Sequence, residues 1–596
     1  MNNHLFALRE YMKQQGLDAL IVPTNDPHFS EYVSPRFKCR EWLTGFTGSA
    51  GTAVVTQADA ALFTDSRYFL QAEQQLQDSG FELKKEGLPE SESIAAYLKS
   101  RLGKGSVGVD GKLYAVAGFS ALEAELEPLS LAAVSDPFEK VWGDRPPLPD
   151  TEAFLMDDAL AGATIAEKLQ ALRAKLKPEA NSIYIASALD EVAWLLNLRG
   201  GDVAYTPVNI AYAAVELDTD SVHLFINPQK LKAGDAARLK EQRVSIHAYG
   251  DFEPQLERIA AAKNVIFNGH RTNVSTQKAV QRSGSKLTPE GGAFGAISLL
   301  KAVKNEAEVA GIRRAMIADG VAWVRFWRWL EENVDSGSLT EIGAGEQLRR
   351  LRAQCPDFLE ESFSPIVGYR EHGAIVHYSA TPESSIALGR DTFILIDTGG
   401  QYRCGTTDIT RTLHLGAPSE QEKTDYTLVL KGHLQLSAAK FPYGTRGAQL
   451  DMLARQPLMQ HHLTYLHGTG HGVGHCLCVH EGPQSIRLNE NPAMLEPNML
   501  TSCEPGVYRA NRYGIRIENL VLTVPSGESE FGKFLQLEPV TLCPIDLKAL
   551  NVALLNPCDV EYLNRYHGKV YQLLSPLLEG DDKEFLKKKT EKITTL

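Results

Sequence analysis

The sequence has few features that would direct the chain to a membrane, to nucleic acid or to an oxidising exterior. It contains no apolar run of about eighteen residues, the length of a membrane span, and charges at Arg9, Glu10 and Lys13 interrupt the N-terminus where a signal peptide needs an apolar core. The net charge of −13 disfavours nucleic acid and anionic membranes as partners. Its eight cysteines form no paired framework, which is typical of free thiols in a reducing compartment. We therefore expect a cytoplasmic protein with no nucleic-acid and no membrane partner.

What the chain does have is length and an ordinary globular composition. Its 596 residues are too many for one core and, at roughly 150 residues per domain, predict three or four units. A segment at 136–150 contains Pro-Pro-Leu-Pro, which resists both helix and sheet and so predicts a domain boundary. A second boundary is predicted near residue 300, where glycines give way to a helix with Val309, Ile312 and Met316 on one apolar stripe.

The N-terminal half carries a weak internal repeat. The patterns of residues 8–23 and 172–187 both predict a helix, a polar turn and a buried strand. Residues 51–65 are predicted to form a hairpin. The repeat predicts two similar α/β domains in tandem. The domain division predicted for the whole chain is 1–140, 141–300, 301–530 and a C-terminal extension over 531–596.

Two later segments each deliver two carboxylates from a predicted hairpin. Asp397 lies on the first strand of one hairpin and Asp408 on the strand that returns. In the next hairpin Glu504 ends a strand, and Glu518 follows on the returning strand, on the same face as Arg516. Carboxylates on strands are costly to bury unless a cation lies between them. The four acids therefore predict a site for a pair of hard divalent ions such as Mn²⁺, Co²⁺ or Zn²⁺, which can share a water and lower its pKa.

A glycine- and histidine-rich segment, HGTGHGVGHCLCVHEGP at 467–483, lies between the two hairpins. His467 and His471 are four residues apart, as in the zinc peptidases with an HExxH helix. However, Gly468 occupies the place of the catalytic glutamate, and the surrounding glycines oppose a helix. We therefore exclude an HExxH site and predict a strand or a loop, in which glycines allow close backbone approach.

The same segment leaves a second kind of metal site open. His475, Cys476, Cys478 and His480 could together bind a structural zinc ion. On a strand, however, Cys476, Cys478 and His480 would share one face and His475 would lie on the other.

Several motifs, taken in order, carry a resemblance to a known family; they are GTTDITRT, HGTGHGVG, VHEGP, EPG and GIRIEN. They resemble the creatinase/methionine aminopeptidase superfamily (peptidase family M24), whose catalytic domain has the pita-bread fold, and within it the long Xaa-Pro aminopeptidases (aminopeptidase P). The stretches TGFTGSAGTAVVT, VWGDRPPLP, KAVKNEAEVAGIRRA and TLCPIDLKAL extend the resemblance over nearly the whole chain. It implies an α/β tandem of two creatinase-like N-terminal domains, followed by an α+β pita-bread catalytic domain with a C-terminal extension.

The resemblance also implies a ligand set for two divalent metal ions, with Mn²⁺ preferred and Co²⁺ or Zn²⁺ as alternatives. Asp397 would bind one ion, and Asp408 and Glu518 would bridge both. His471 and Glu504 would complete the second ion, and Glu504 would also act as the general base.

Four further residues would contact the substrate or steady the site. His377 would lie near the scissile bond, and His480 would donate to the peptide carbonyl or the developing oxyanion. His467 would line the pocket for proline, and Arg516 would steady Glu518 or the substrate. The resemblance gives His475 no role.

The implied activity is hydrolysis of the bond between the first residue of a peptide and a proline in the second position. That bond has no N–H and the proline ring fixes φ, so a site shaped for the ring is needed. A prolidase, which acts on Xaa-Pro dipeptides only, is the alternative within the fold. A pita-bread protein without catalysis, acting as a scaffold, is the alternative in another class. The resemblance further implies a homodimer.

Overall fold

The computed structural model describes residues 3–292 and 294–594, and the chain divides into two compact units. The first comprises Met1–Met156 and Ala163–Ile297, and the second comprises Asp157–Gly162 and Ser298–Leu596. In the part of the chain that the structure describes, no helix combines the length and the apolar character that a membrane crossing requires.

The first unit is built on two six-stranded sheets. Its strands are β1 (Ala19–Pro23), β2 (Thr52–Thr56), β3 (Ala60–Thr64), β4 (Glu82–Lys85), β5 (Ser106–Asp110), β6 (Ser130–Val134), β7 (Phe154–Leu155), β8 (Ser182–Ala186), β9 (Leu198–Arg199), β10 (Tyr212–Glu216), β11 (Ser221–Phe225), β12 (Val244–His247), β13 (Asn264–Phe267) and β14 (Lys286–Pro289). The helices up to this point in the chain, of which α7 belongs to the second unit, are α1 (Asn3–Gln15), α2 (Cys39–Thr44), α3 (Phe69–Gln75), α4 (Ile94–Leu102), α5 (Val116–Leu126), α6 (Phe138–Val141), α7 (Asp158–Ala161), α8 (Ile165–Leu176), α9 (Leu189–Leu195), α10 (Ala233–Glu241), α11 (Phe252–Ile259) and α12 (Val274–Arg282).

The two sheets share one topology. Their strand orders are β4-β3-β2-β1-β5-β6 and β12-β11-β10-β8-β13-β14. In both orders, the second and third of the five pairings are antiparallel and the other three are parallel. The predicted tandem of α/β domains is therefore confirmed, and the hairpin predicted over 51–65 is the antiparallel pair β2–β3. The central strands β1 and β8 are buried along their whole length, which explains their continuous apolar sequence.

The second unit mixes helices with short sheets. Its strands are β15 (Phe358–Glu361), β16 (Ile366–Tyr369), β17 (Phe393–Thr398), β18 (Gly400–Tyr402), β19 (Gly405–Thr406), β20 (Ile409–His414), β21 (Lys440–Pro442), β22 (Gly470–Gly472), β23 (Glu481–Ile486), β24 (Leu500–Cys503), β25 (Gly506–Arg509), β26 (Tyr513–Arg516), β27 (Asn519–Ser529) and β28 (Gly532–Pro539). The remaining helices are α13 (Ala296–Ala302), α14 (Glu306–Asn333), α15 (Glu341–Arg352), α16 (Glu420–Ser437), α17 (Gly447–Met459), α18 (Pro557–Leu574) and α19 (Gly580–Lys589).

Two sheets of this unit hold predicted site residues on or beside their strands. One has the order β16-β17-β20 and the other β21-β28-β27-β24-β22-β23. The long helix α14 begins at a capping box formed by Asn305 and Glu308, and it buries Ile312 and Met316 in the core as the apolar stripe predicts.

Candidate metal centre

The first predicted pair of carboxylates lies on neighbouring strands. β17 and β20 are antiparallel, and Asp397 is paired with Thr410. Asp408 lies just before β20, so the chain brings it back beside Asp397 as predicted. The connection is longer than a simple turn, because β18 and β19 form a small hairpin of their own within it.

The second pair and His471 come from the six-stranded sheet. Glu504 follows β24, and its N–H donates to the carbonyl of Thr469 at 2.8 Å, which ties it to the histidine-rich segment. Nε2 of His471 lies 3.5 Å from Asp408 Oδ2 and 3.6 Å from Glu504 Oε1. The two sheets therefore meet at these side chains.

The structure corrects the predicted position of Glu518. It does not share a strand with Arg516, because β26 ends at Arg516 and β27 begins at Asn519. Glu518 instead occupies the link between the two strands, where its N–H donates to the carbonyl of Thr410 at 3.1 Å. The Thr410 hydroxyl donates to Glu518 Oε2 at 2.8 Å. Glu518 is nonetheless delivered to the same place as Asp408.

The acids of this site raise one another's pKa values. Burial, followed by the charges of Asp397 and Glu504, raises the pKa of Asp408 well above its usual value. Burial and then Asp408 do the same to Glu518, and burial raises the pKa of Glu504 to about 7. Burial and the neighbouring His480 lower the pKa of His471 to about 3, so its ring is neutral. Carboxylates packed in this way require a compensating cation to be ionised together.

The donor atoms fit divalent cations. Ligand atoms of Asp408, His471 and Glu518 all lie within 4.8 Å of one another, the one group with this property among residues 3–292 and 294–594. Asp397 Oδ1 and Glu518 Oε1 are buried, and neither has a hydrogen-bond partner in the described structure. Buried oxygens of this kind are costly unless something binds them. Oxygen donors with one imidazole match Mn²⁺, Co²⁺ or Zn²⁺ in pairs.

A hydrogen-bonded chain extends from Asp397 through Arg516 and Tyr508 to His467. Arg516 Nη2 donates to Asp397 Oδ2 at 2.7 Å, and Arg516 Nη1 donates to the Tyr508 hydroxyl at 2.7 Å. The same hydroxyl lies 2.8 Å from His467 Nε2. Burial, followed by the charge of Arg516, lowers the pKa of His467 to about 3, which keeps that ring neutral. Arg516 therefore forms an ion pair with Asp397, whereas the resemblance implies that it steadies Glu518 or the substrate.

The two other predicted histidines lie beside these groups. The ring of His480 is 4.4 Å from that of His471, at an interplanar angle of 76°. The residue before His377 is Val376, whose carbonyl accepts from Arg516 Nη2 at 3.3 Å. A Cβ on Gly514 would lie 1.7 Å from the carbonyl oxygen of Gly373, so glycine is required for the close contact between β26 and the turn that leads to His377.

Tyr508 and Thr410 belong to the site and were not singled out from the sequence. Tyr508 bridges Arg516 and His467, while Thr410 donates to Glu518. A signal existed for Thr410, because it lies two positions after Asp408 and so falls on the same face of the returning strand that the sequence predicts. None existed for Tyr508, because its contacts depend on how two hairpins meet.

The alternative zinc site is not supported by the described geometry. No strand covers residues 473–480, and Cys476 takes a positive φ of 50°, so the predicted strand face does not exist. His475 Nδ1 lies 4.0 Å from Glu308 Oε1, on helix α14. His475, Cys476, Cys478 and His480 do not form a group with metal-ligand spacing among the described residues.

Comparison with known proteins identifies the family of each part of the chain. The family model described as "Metallopeptidase family M24" matches residues 310–525, and that described as "C-terminal region of peptidase_M24" matches residues 533–593. The description "Creatinase/Prolidase N-terminal domain" applies to two matches, at 5–141 and 144–308.

Full-length relatives share the same organisation. A "Probable Xaa-Pro aminopeptidase P" of Coprinopsis cinerea is 39% identical over 99% of this chain and 98% of its own length. "Aminopeptidase P2" of Arabidopsis thaliana is 38% identical over 95% of this chain and 84% of its own. A crystal structure of X-prolyl aminopeptidase from Caenorhabditis elegans, described as a cytosolic enzyme with a di-nuclear active site, superimposes with a TM-score of 0.92 at 32% identity, over 99% of each chain.

Proposed function

Because the chain belongs to the Xaa-Pro aminopeptidases of metallopeptidase family M24, we propose that it removes the N-terminal residue from peptides with proline in the second position. It is a metallo-exopeptidase with a dinuclear centre. The observation that carries this function is the convergence of buried donors, in which Asp397 Oδ1 and Glu518 Oε1 have no partner within the described structure. Several buried carboxylates that converge on one place are costly unless a cation lies between them.

The residues that would hold two divalent ions are Asp397, Asp408, His471, Glu504 and Glu518. We propose Mn²⁺ as the ion, with Co²⁺ or Zn²⁺ as alternatives. When bound, such a pair would activate water at neutral pH and polarise the peptide carbonyl.

The chain's own groups then have distinct tasks. Glu504, whose pKa burial raises to about 7, can accept a proton from the attacking water and return it to the prolyl nitrogen as that nitrogen leaves. His480 would donate a hydrogen bond to the carbonyl oxygen as negative charge develops there. His377 would contact the substrate near the scissile bond.

The proline pocket would be formed around His467. Its neutral ring is hydrogen-bonded to Tyr508, whose hydroxyl also accepts from Arg516, and these three side chains would form one side of the pocket. A tertiary amide offers no N–H to such a site, so shape and the placement of donors would decide recognition.

We also propose a homodimer in the cytoplasm. Exposed large apolar side chains gather between residues 443 and 494 of the second unit, around α17, which suits a contact between two copies of this chain. They are Tyr443, Met452, Leu453, Met459, Leu466, Leu488 and Met494. The division into domains at about residues 140, 300 and 530 likewise remains our proposal.

The test is cleavage of two substrates followed by mass spectrometry. One is an Xaa-Pro-Pro-Yaa peptide and the other an Xaa-Pro dipeptide, each with Mn²⁺ and with a chelator. We expect loss of the first residue from the longer peptide and no reaction with chelator. Cleavage of the dipeptide alone would make the protein a prolidase, and cleavage of neither by metal-loaded protein would refute the substrate class.

A further inference from the structure

A buried group of ion pairs lies next to the metal centre and is not used by the proposed reaction. Lys301 Nζ is 2.6 Å from Glu481 Oε2, and Lys304 Nζ is 2.8 Å from Glu481 Oε1. The three side chains, which we call the lysine–glutamate cluster, are only 1–2% exposed. Lys304 also donates to the carbonyl of Lys301 at 3.1 Å. Charges removed from water to this extent are tolerated only when their partners stay in place, so the cluster is geometrically fixed.

Glu481 occupies a special place in the chain, because it directly follows His480. Its backbone pairs with Gly472, the neighbour of His471, at a point where the register between β22 and β23 shifts. A Cβ on Gly472 would lie 2.2 Å from the carbonyl oxygen of Glu481, and a Cβ on Gly474 would lie 2.9 Å from its carboxylate. The glycines of the histidine-rich segment therefore allow the strand of His471 to approach both the backbone and the carboxylate of Glu481.

His475, which had no role in the sequence analysis, anchors the same segment at its other end. Its ring packs on the first turns of α14, where a Cβ on Gly311 would lie 3.0 Å from His475 Nε2. Its Nδ1 lies 4.0 Å from a carboxylate oxygen of Glu308. Glu308 is fixed in turn by the capping box with Asn305, the residue after Lys304. The segment 475–481 is thus contacted at one end by the first turns of α14 and at the other by Lys301 of α13 and by Lys304, which lies in the link between the two helices.

We propose that Lys301 and Lys304 are positioning residues for His480 and act through Glu481. The inference rests on the proposed function, in which His480 contacts the peptide carbonyl. Each carboxylate oxygen of Glu481 lies within ion-pair distance of a different lysine, and Lys304 also donates a hydrogen bond to Oε1, so the two lysines restrain the side chain from both sides. A hydrogen-bond donor in an active site is effective only when its support holds it to within about half an ångström.

The principal variant is Lys304→Met, which keeps the length of the side chain and leaves Lys301 to pair with Glu481. We expect kcat to fall about 10- to 100-fold, the effect typical of a misplaced catalytic group, with KM within about twofold and the bound metal unchanged. Lys301→Met provides a second variant with the same expectation, which keeps the test decisive if the first does not fold.

A matched control is available in the first unit. Lys230 forms a buried ion pair with Asp202, with side chains 3% and 0% exposed. Lys230→Met therefore removes an ion pair of the same kind that has no link to His480. It should lower the melting temperature and leave kcat unchanged.

The decisive measurement is a double-mutant cycle with His480→Ala. If the lysines act through His480, Lys304→Met should have no further effect on kcat once the imidazole is gone. An equal fold-loss with and without His480, or a similar loss in Lys230→Met, would overturn the inference. An unchanged kcat in His480→Ala would also overturn the inference, because it assumes that His480 contacts the peptide carbonyl. Failure of the unmodified enzyme to cleave Xaa-Pro peptides would instead refute the proposed function.

Discussion

Replacing Tyr508 by Phe should slow the enzyme without removing its metals. The change deletes one hydroxyl that accepts from Arg516 Nη1 at 2.7 Å and lies 2.8 Å from His467 Nε2. Arg516 keeps its bonds to Asp397, so the ligand set stays intact. His467 keeps its contact with the carbonyl of Gly468 and its ring contact with Tyr465, but it loses the partner of Nε2 and is held less firmly toward the substrate.

The expected loss of transition-state binding follows from the two hydrogen bonds that the hydroxyl makes. A bond to a charged group contributes about 1.5–3 kcal/mol and a neutral one about 0.5–1.5 kcal/mol. Water can replace part of both, because Tyr508 is only partly buried. We expect a net loss of about 1.4–2.7 kcal/mol in transition-state binding, which is about 10- to 100-fold in kcat/KM.

The assay compares initial rates on an Xaa-Pro-Pro-Yaa peptide with metal content and melting temperature. The matched control is Tyr513→Phe in the same hairpin, because the Tyr513 hydroxyl donates to Asp425 Oδ2 at 2.8 Å outside the site. That variant should lose stability and keep its kcat/KM. A Tyr508→Phe enzyme within twofold of the parent, or one that loses its metal, would show that the bridge does not serve the substrate pocket.

Three further predictions concern stability and assembly. Burial lowers the pKa of His567 to about 3, and its neutral Nε2 accepts the N–H of Ile545 at 3.1 Å. Below about pH 6.5 the unfolded chain binds a proton at this imidazole and the folded chain does not. The free energy of unfolding therefore falls as the pH drops from 6.5 towards 3, by up to about 1.4 kcal/mol per pH unit. His567→Gln should flatten the fall in melting temperature between pH 7 and 5, and an unchanged slope would contradict this prediction. Removing metal with a chelator should lower the melting temperature, and Mn²⁺ at about 100 times its Kd should restore about 2.7 kcal/mol per site, whereas equal melting of both forms would argue against buried ligands. Leu466→Asp, at a side chain 75% exposed, should yield folded monomers in sedimentation velocity, and a persistent dimer would place the contact elsewhere.

Much of the architecture was accessible from the sequence because it depends on local patterns. The repeated order of helix, turn and strand predicts the tandem sheets, and strand alternation predicts that Asp397 and Asp408 meet. The glycines around His471 exclude a helix, and the structure has a short strand there. Each of these inferences depends on residues close together in sequence.

The missed parts depend on contacts between distant segments. Lys304 and Glu481 are 177 positions apart, and no periodicity indicates that they pair. Tyr508 becomes part of the site only where β25 approaches His467. The sequence leaves a strand and a loop as alternatives for the histidine-rich segment, and residues 473–480 form a loop in which Cys476 takes a positive φ. Tertiary packing determines these contacts and conformations, and local sequence patterns do not predict them.

The identical order of strands in the two N-terminal sheets has a consequence for folding. Each sheet starts from its central strand, β1 or β8, and adds neighbours on both sides, so a strand of one sheet has the pairing geometry of its counterpart in the other. On the ribosome the first sheet is complete at Val134 before the second begins at Ser182, and at roughly 5–20 residues per second this gives a lead of several seconds. A chain diluted from denaturant has no such lead and presents both sets of strands at once. Refolding should therefore produce more mispaired and aggregated protein than synthesis does, with strands exchanged between counterpart positions.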